Sequence, residues 1–255
     1  MTNTASFPRR AIGRYPRLDA RSNELIASAD GFGLSIRSQP QPVSPVVGDA
    51  NVRDVTIALS SHVDRLKGHI SDAVDTAIRT VFPDLYFGLC HAYAVVGSNV
   101  ASLVLNRDYR PVAGLAVIDC GDGNLMRLTE NDAFAGAIGG AYHCWIESAP
   151  PNDPDKELVD IIFKHNEAYA KTQGMSWRHK NSDYLWGPYR ELVVADEADL
   201  LHRDLPAGRL WLQETPEGAN WILRHLADHV SVYVELTALA IRLQRAALQA
   251  DNRSA

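Results

Sequence analysis

The sequence lacks the features that mark several protein classes. It has three cysteines in 255 residues, Cys90, Cys120 and Cys144, an odd set with no C-x-x-C spacing. That makes neither a disulfide framework nor a zinc knuckle. No apolar run approaches the roughly 20 residues of a membrane span, and the N-terminus has no apolar stretch of the secretory type. Basic charge is in deficit, 25 Lys and Arg against 31 Asp and Glu for a net charge of −6. A general nucleic-acid binder would need a clustered basic surface, and such a balance has no particular attraction to anionic membranes. Internal repeats and low-complexity tracts are missing as well. The expectation is a cytoplasmic protein in a reducing compartment, where a free thiol persists.

What is present suits one large domain, since hydrophobic residues make up 46% and charged residues 22% of the chain. Residues 1–50 read as a partly ordered N-terminal extension. Arg9, Arg10, Arg14, Arg17 and Arg21 give it a basic start, Pro40, Pro42 and Pro45 punctuate its end, and Leu25-Ile26 and Phe32-Gly33-Leu34 suit docking on the domain. Residues 51–255 read as a single domain. Its first helix is marked by Val52, Val55, Leu59, Val63, Leu66, Ile70, Ala73 and Ala77 at three- and four-residue steps, with Gly68 a candidate break and Pro83 a stop. A second helix runs from Cys90 to Leu105. It is apolar on several sides and is therefore the buried, central one.

Strand-like runs follow at Val112–Cys120, Leu125–Leu128, Gly140–Ser148 and Glu157–Phe163, separated by turn signals such as Asp122-Gly123-Asn124. A helix followed by a run of strands predicts an α+β fold with the central helix on an antiparallel sheet. Helix returns at about 215–250, with Thr215 as N-cap and Pro216 in the first turn. Its stripes, Leu223, Leu226, Val230, Val234 and then Leu236, Leu239, Leu243, Ala247, suit covering the domain or a homodimer contact.

Three residues stand out chemically. Cys90 sits where a connector becomes the first turn of the buried helix, and unpaired N–H groups there favour a thiolate. A structural alternative is a small buried hydrophobe. In Tyr142-His143-Cys144-Trp145, alternation places His143 and Trp145 on one face and turns Cys144 away. His143 is then either a base facing the thiol or a hydrogen-bonded core histidine. Asp160 is the one carboxylate in Leu158-Val159-Asp160-Ile161-Ile162 and needs a partner, which His143 can be. Glu147 is the alternative third member. His91, about 100° round the helix from Cys90, is expected to project away from the thiol.

The order of these motifs resembles the transglutaminase-like (papain-like) cysteine-hydrolase superfamily. Gly88, Cys90, Tyr93 and Ala94 match Gly-x-Cys-x-x-aromatic-Ala at the helix start. His143, Trp145 and Glu147 match His-x-Trp-x-Glu, and Asp160 stands on the next strand. Arg110, Val112 and Gly114 sit where that family enters its first strand. Ile161-Ile162 after the Asp, and an extra hairpin-like segment at about Asp119 to Ala137, depart from the family pattern.

The resemblance implies a papain/transglutaminase-like core with added N- and C-terminal helices, and a Cys90–His143–Asp160 triad. The expected activity is acyl transfer on a peptide, protein or small amide, through a thioester and with no metal or organic cofactor. A non-catalytic binding or scaffolding protein on the same fold is the alternative, and a metal-dependent hydrolase a third reading.

Around this triad, the Cys90 N–H and Tyr86 are candidate oxyanion donors, and Trp145 lies on the histidine's face. Trp177 and Arg178, in the aromatic-rich segment Gly174–Tyr189, are candidates for a lid or cleft wall, or for a loop anchored by packing. His225 and His229 stand one helical turn apart and read as ordinary surface or interface histidines.

Overall fold

The structure is a computed structural model that describes residues 49–129, 134, 141–148, 150, 153, 155–179, 182–201 and 209–254, with side chains described from residue 61 onward. The basic arm and the apolar docking segments expected before residue 48 lie outside these residues. The chain divides into two compact units, Met1–Leu59 and Ser60–Ala255, and the account below concerns the second.

Helix α1 spans Asp49–Val81. It runs through Gly68 without a break, because the roughly 1 kcal/mol that glycine costs a helix is small beside the packing of its apolar face. Ile70, Val74, Ala77 and Ile78 from that face are fully buried. Helix α2, Cys90–Leu105, has the expected bounds and is buried through its first two turns. It ends at Asn106, which takes a left-handed conformation at φ 50°.

The sheet is antiparallel, in the order β2-β1-β3-β4-β5 with β6 also on β1. Strand β1, Tyr109–Gly121, is long enough to serve three partners. It pairs with β3 (His143–Ser148) along 109–114, with β6 (Leu210–Glu214) along 114–118 and with β2 (Asn124–Leu128) along 116–121. Asp122 and Gly123, both at positive φ, form the two-residue turn between β1 and β2.

Strand β4 is short, Glu157–Asp160. The expected strand through Phe163 stops there because Ile161 enters the helical region and a 3-10 turn follows at Ile162–His165. Helix α3 (Asn166–Thr172), strand β5 (Leu185–Pro188) and the single turn α4 (Tyr189–Leu192) complete the middle of the chain. Strands β5 and β6 were not anticipated. The C-terminal segment is two helices, α5 (Pro216–Asp228) and α6 (Val230–Ser254), separated at His229.

The two faces of the sheet have different occupants. Val112, Trp145, Leu158 and Leu185 join one hydrophobic cluster with Phe163. On the other face α2 comes close to β3 and the residue after β4, because Gly97 has no side chain. A Cβ there would lie 2.7 Å from Ile146 Cδ1 and 2.8 Å from Ile161 Cδ1.

A buried ion cluster holds α2 from behind. Asp75 on α1 accepts hydrogen bonds from the Tyr93 hydroxyl (2.7 Å) and His165 Nε2 (2.7 Å), and pairs with Lys164 at 3.0 Å. Burial pushes its carboxyl up, but the hydrogen bonds from His165 and Tyr93 and the Lys164 charge outweigh that and hold it far below the usual range.

Helix α5 begins as the sequence predicts, with the Thr215 hydroxyl accepting from the Gly218 N–H at 3.0 Å. Its first turn lies directly on β1, where a Cβ on Gly218 would sit 2.3 Å from the Ala113 carbonyl oxygen. That oxygen is backbone and cannot yield, so Gly218→Ala is expected to cost about 1–3 kcal/mol. The fall in Tm should be several degrees, whereas Gly88→Ala, with nothing within 4 Å of its Cβ, should leave Tm nearly unchanged. Equal Tm values for the two variants would mean that α5 does not depend on this close approach.

Candidate functional site

Cys90 is the first residue of α2, and the preceding Leu89 offers no side-chain cap. In the first turn the Ala92 N–H bonds back to the Leu89 carbonyl at 2.8 Å, and the positive end of the helix dipole lies at the thiol. The strand register explains how the other two groups meet. Ile146 pairs with Val159 and Glu147 with Leu158, so continuing the register sets Asp160 opposite Trp145 and one diagonal step from His143. Such diagonal neighbours on one face are within reach of a long side chain. His143 Nε2 donates to Asp160 Oδ2 at 2.9 Å, with the two residues only 3% and 1% exposed.

With Nε2 committed to the carboxylate, Nδ1 is the ring nitrogen left to serve the neighbouring Cys90 thiol. Burial opposes a charge on His143, but the Asp160 carboxylate and the Cys90 sulfur outweigh it and push the imidazole up to about 10. The Cys90 thiol is held well below the usual thiol range. A hydrogen bond from Cys144 does most of this, burial works against it, and His143 and His91 add to it. Thiolate and imidazolium are thus the favoured partners across neutral pH.

Two expectations about directions need correction. Cys144 lies on the sheet face that receives α2, so its thiol neighbours Cys90, and burial and the neighbouring Cys90 push its own proton affinity well up. Alternation separates neighbours inside a strand, but Cys90 sits at the end of β3, where both His143 and Cys144 are in reach. His91 does not project away either. Its ring hydrogen-bonds the Cys90 thiol, and its Nδ1 lies 3.3 Å from the Tyr142 hydroxyl.

The remaining candidates are placed as follows. Trp145 is 1% exposed, stacks on His143 at 6.3 Å with rings 20° apart, and donates from Nε1 to Glu147 at 3.0 Å. It can position the imidazole and is too buried to touch a substrate. Glu147 spends its other oxygen on Arg110 (3.0 Å) and Lys156 (3.1 Å), which neutralises it and ties it to the sheet edge. Tyr86 packs on His165 at 4.7 Å and under the Arg79 guanidinium at 5.0 Å, on the Asp75 side of α2.

Trp177 packs against Phe163 in the cluster on the far face of the sheet. The Arg178 N–H donates to the Cys120 carbonyl. Gly114 is the β1 partner of His143, so Arg178 is anchored six residues further along β1, roughly 20 Å away at strand rise. Neither residue meets the Cys90 group.

The sequence reading missed the contribution of α5. His225 sits 4.7 Å from His91, stacks on Trp221 at 4.8 Å and 10°, and lies 4.4 Å from His229. Trp221 in turn meets Tyr142 at 4.8 Å. Burial, then the neighbouring His91 and His229, pull His225 down to about 3, so it is neutral beside the thiolate. The i, i+4 spacing of Trp221, His225 and His229 was the available signal. Among the described residues no group of three or more His, Cys, Asp and Glu side chains is placed to hold a metal ion. No described helix is long and apolar enough to cross a membrane.

No family model matches the chain, and no curated protein matches it. Among solved structures, the crystal structure of a genomics target is similar at a TM-score of 0.46 and 14% sequence identity, over 69% of this chain and 77% of that one. A likeness at that level identifies neither family nor activity.

The thiolate–imidazolium arrangement predicts the pH profile of alkylation. Cys90 should react with iodoacetamide at a nearly constant rate between about pH 6 and pH 9. Cys120, which burial pushes up to about 11, should react slowly and faster with each rise in pH. His143→Ala should reduce the Cys90 rate at about pH 6.5 by tenfold or more, because an ordinary thiol is only about 1% ionised there. His91→Ala should reduce it less, since His143 is the ring whose positive charge the Asp160 carboxylate supports. A Cys90 rate that climbs with pH like that of Cys120 would contradict the ion pair.

Proposed function

We propose that this chain is a cysteine-dependent acyl-transfer enzyme with a transglutaminase-like core, acting in the cytoplasm on a peptide, protein or small amide. The observation that carries the reading is the buried His143–Asp160 pair, at 2.9 Å, with the helix-start Cys90 thiol acting on and acted on by the His143 ring. The α+β architecture, with its antiparallel sheet and buried helix, is compatible with that core. The motif order supports it independently.

In this reading the Cys90 thiolate attacks the acyl carbonyl, and the carbonyl oxygen takes the charge. The Cys90 N–H, at the free helix start, stabilises that oxyanion. The His143 imidazolium then gives its proton to the leaving amine as the C–N bond breaks, which leaves a thioester on Cys90. Water or a second amine enters, His143 takes its proton, and the acyl group departs as acid or new amide while the thiolate returns. Asp160 holds the imidazole tautomer and stabilises its charged form. Trp145 supports the ring from below. None of these steps calls on a metal or organic cofactor.

A second reading, a binding or scaffolding protein on the same fold, is favoured by one observation. Cys90 is only 9% exposed, with His91 packed in turn on Trp221 and His225. The exposed Leu223, Val230 and Val234 on α5 and α6 suit a protein contact, including a second copy of the chain.

An activated ester separates the two readings. p-Nitrophenyl acetate should release a stoichiometric burst of nitrophenol and leave an acetyl group on the Cys90 peptide, whereas a binding protein should give neither. Asp160→Asn should keep the fold and lower turnover by about 10³–10⁴-fold, while Asp155→Asn, in an exposed turn, should leave it unchanged. Wild-type turnover in the Asp160 variant would remove this carboxylate from the mechanism.

A further inference from the structure

The acyl-transfer steps leave one buried nucleophile at the site unused. Cys144 is 1% exposed and stands on β3 beside His143, on the face that also carries Ile146. That face receives α2 through the Gly97 contact with Ile146 and Ile161. Two residues back along the strand and two turns back along the helix from that contact stand Cys144 and Cys90, both buried, and each thiol is among the groups that act on the other. Both are free. Cys120 is excluded from the pair, since its sulfur lies against the Ile118 carbonyl at 3.7 Å, in the cluster on the opposite face.

We propose that Cys144 is a resolving thiol, and that the site is reversibly switched off by hydroperoxides through a Cys90–Cys144 disulfide. The proposal rests on the reading of Cys90 as the reactive thiolate. In the first step the Cys90 sulfur attacks hydrogen peroxide and the O–O bond breaks. Sulfur takes one oxygen and is oxidised by two electrons to a sulfenic acid. The other oxygen leaves as hydroxide and becomes water with the proton of the His143 imidazolium. In the second step the Cys144 sulfur attacks the sulfenic sulfur. The S–S bond forms, the S–O bond breaks, and the oxygen leaves with the Cys144 proton as a second water.

Two thiols on facing elements at such a close helix–strand approach are placed to bond once their side chains rotate toward each other. A sulfenic acid left without a partner proceeds to irreversible acids, so a neighbouring thiol preserves the nucleophile. A dithiol reductant restores both residues. Cys90 in the disulfide has no free sulfur for acyl transfer, so oxidation and inactivity coincide.

The test uses the full chain, reduced and then treated with a small excess of hydrogen peroxide in the presence of dimedone. In the wild type the intact mass should fall by two hydrogens, and digestion should yield a linked Cys90–Cys144 peptide. Iodoacetamide labelling of Cys90 should be lost and then regained after dithiothreitol. In Cys144→Ser, Cys90 should instead carry dimedone. Without dimedone its labelling should stay lost after dithiothreitol, so that the recoverable fraction falls about tenfold or more. Cys120→Ser should behave as the wild type.

A dimedone adduct on wild-type Cys90 with no linked peptide would overturn the resolving role while leaving the nucleophile reading intact. Equal recovery in the wild type and Cys144→Ser would overturn it as well. A linked peptide in a protein that p-nitrophenyl acetate fails to acylate would support the redox pair and count against acyl transfer alone.

Discussion

Asp160 is a carboxylate buried to 1% exposure in the middle of an apolar strand, and the chemistry of the site follows from that constraint. An unpaired charge in such a place costs several kcal/mol, so the strand is tolerable only with a hydrogen-bonding, preferably cationic, neighbour. His143 is that neighbour, at 2.9 Å. The second carboxylate oxygen, Oδ1, is buried and makes no hydrogen bond among the described residues, so Asp160 leans on the imidazole for its stabilisation. The charge that satisfies Asp160 also favours the Cys90 thiolate, adding to the larger effect of the Cys144 thiol. An arrangement forced by burial at one end becomes an activated sulfur at the other, without any group having to change position.

The fold supports this chain of three from all sides. Tyr93 pins the first turn of α2 to Asp75 from behind. Trp145 lies under the imidazole and is itself held by Glu147, which Arg110 and Lys156 neutralise. Helix α5 adds two stacked rings on another side, Trp221 and His225, and burial with the neighbouring His91 and His229 keeps His225 neutral. The same close packing leaves the Cys90 residue little exposed.

Much of this was legible from residues alone, and the reasons are local. The bounds of α2 follow from the short connector before Cys90 and the apolar run after it. The turn at Asp122-Gly123 needs two residues at positive φ, which this pair tolerates. The Thr215-Pro216 start of α5 is a capping pattern. Strand alternation and the need of Asp160 for a partner pointed to His143 on the correct face.

What could not be read depends on tertiary approach. Backbone periodicity says in which direction His91 and Cys144 leave their elements, but not that the helix start meets the end of β3, where both converge on Cys90. Strand β5 was hidden because Leu185-Trp186-Gly187-Pro188 reads as irregular. It lies at the edge of the sheet, where proline and glycine are tolerated. The nearness of His225 to the thiol depends on Gly218 admitting α5 onto β1, a contact between residues over a hundred positions apart. The assignment of Tyr86, Trp177 and Arg178 to the site relied on residue type and nearness in sequence, neither of which fixes a place in the fold.

Cys90 is held as a thiolate at neutral pH by two buried neighbours, first the Cys144 thiol and then the charged His143 ring. A pH titration of the ultraviolet thiolate absorbance, taken as the difference between wild type and Cys90→Ser, measures this without any substrate or labelling reagent. The account predicts a difference of one thiolate at pH 7 that persists as the pH is lowered well beneath the ordinary thiol value of about 8.5. That difference should shrink at neutral pH when both proteins also carry His143→Ala, and its midpoint should move to higher pH. A difference that emerges only as the pH rises through about 8 to 9, with or without His143, would mean that Cys90 is an ordinary buried thiol and that the ion pair does not exist.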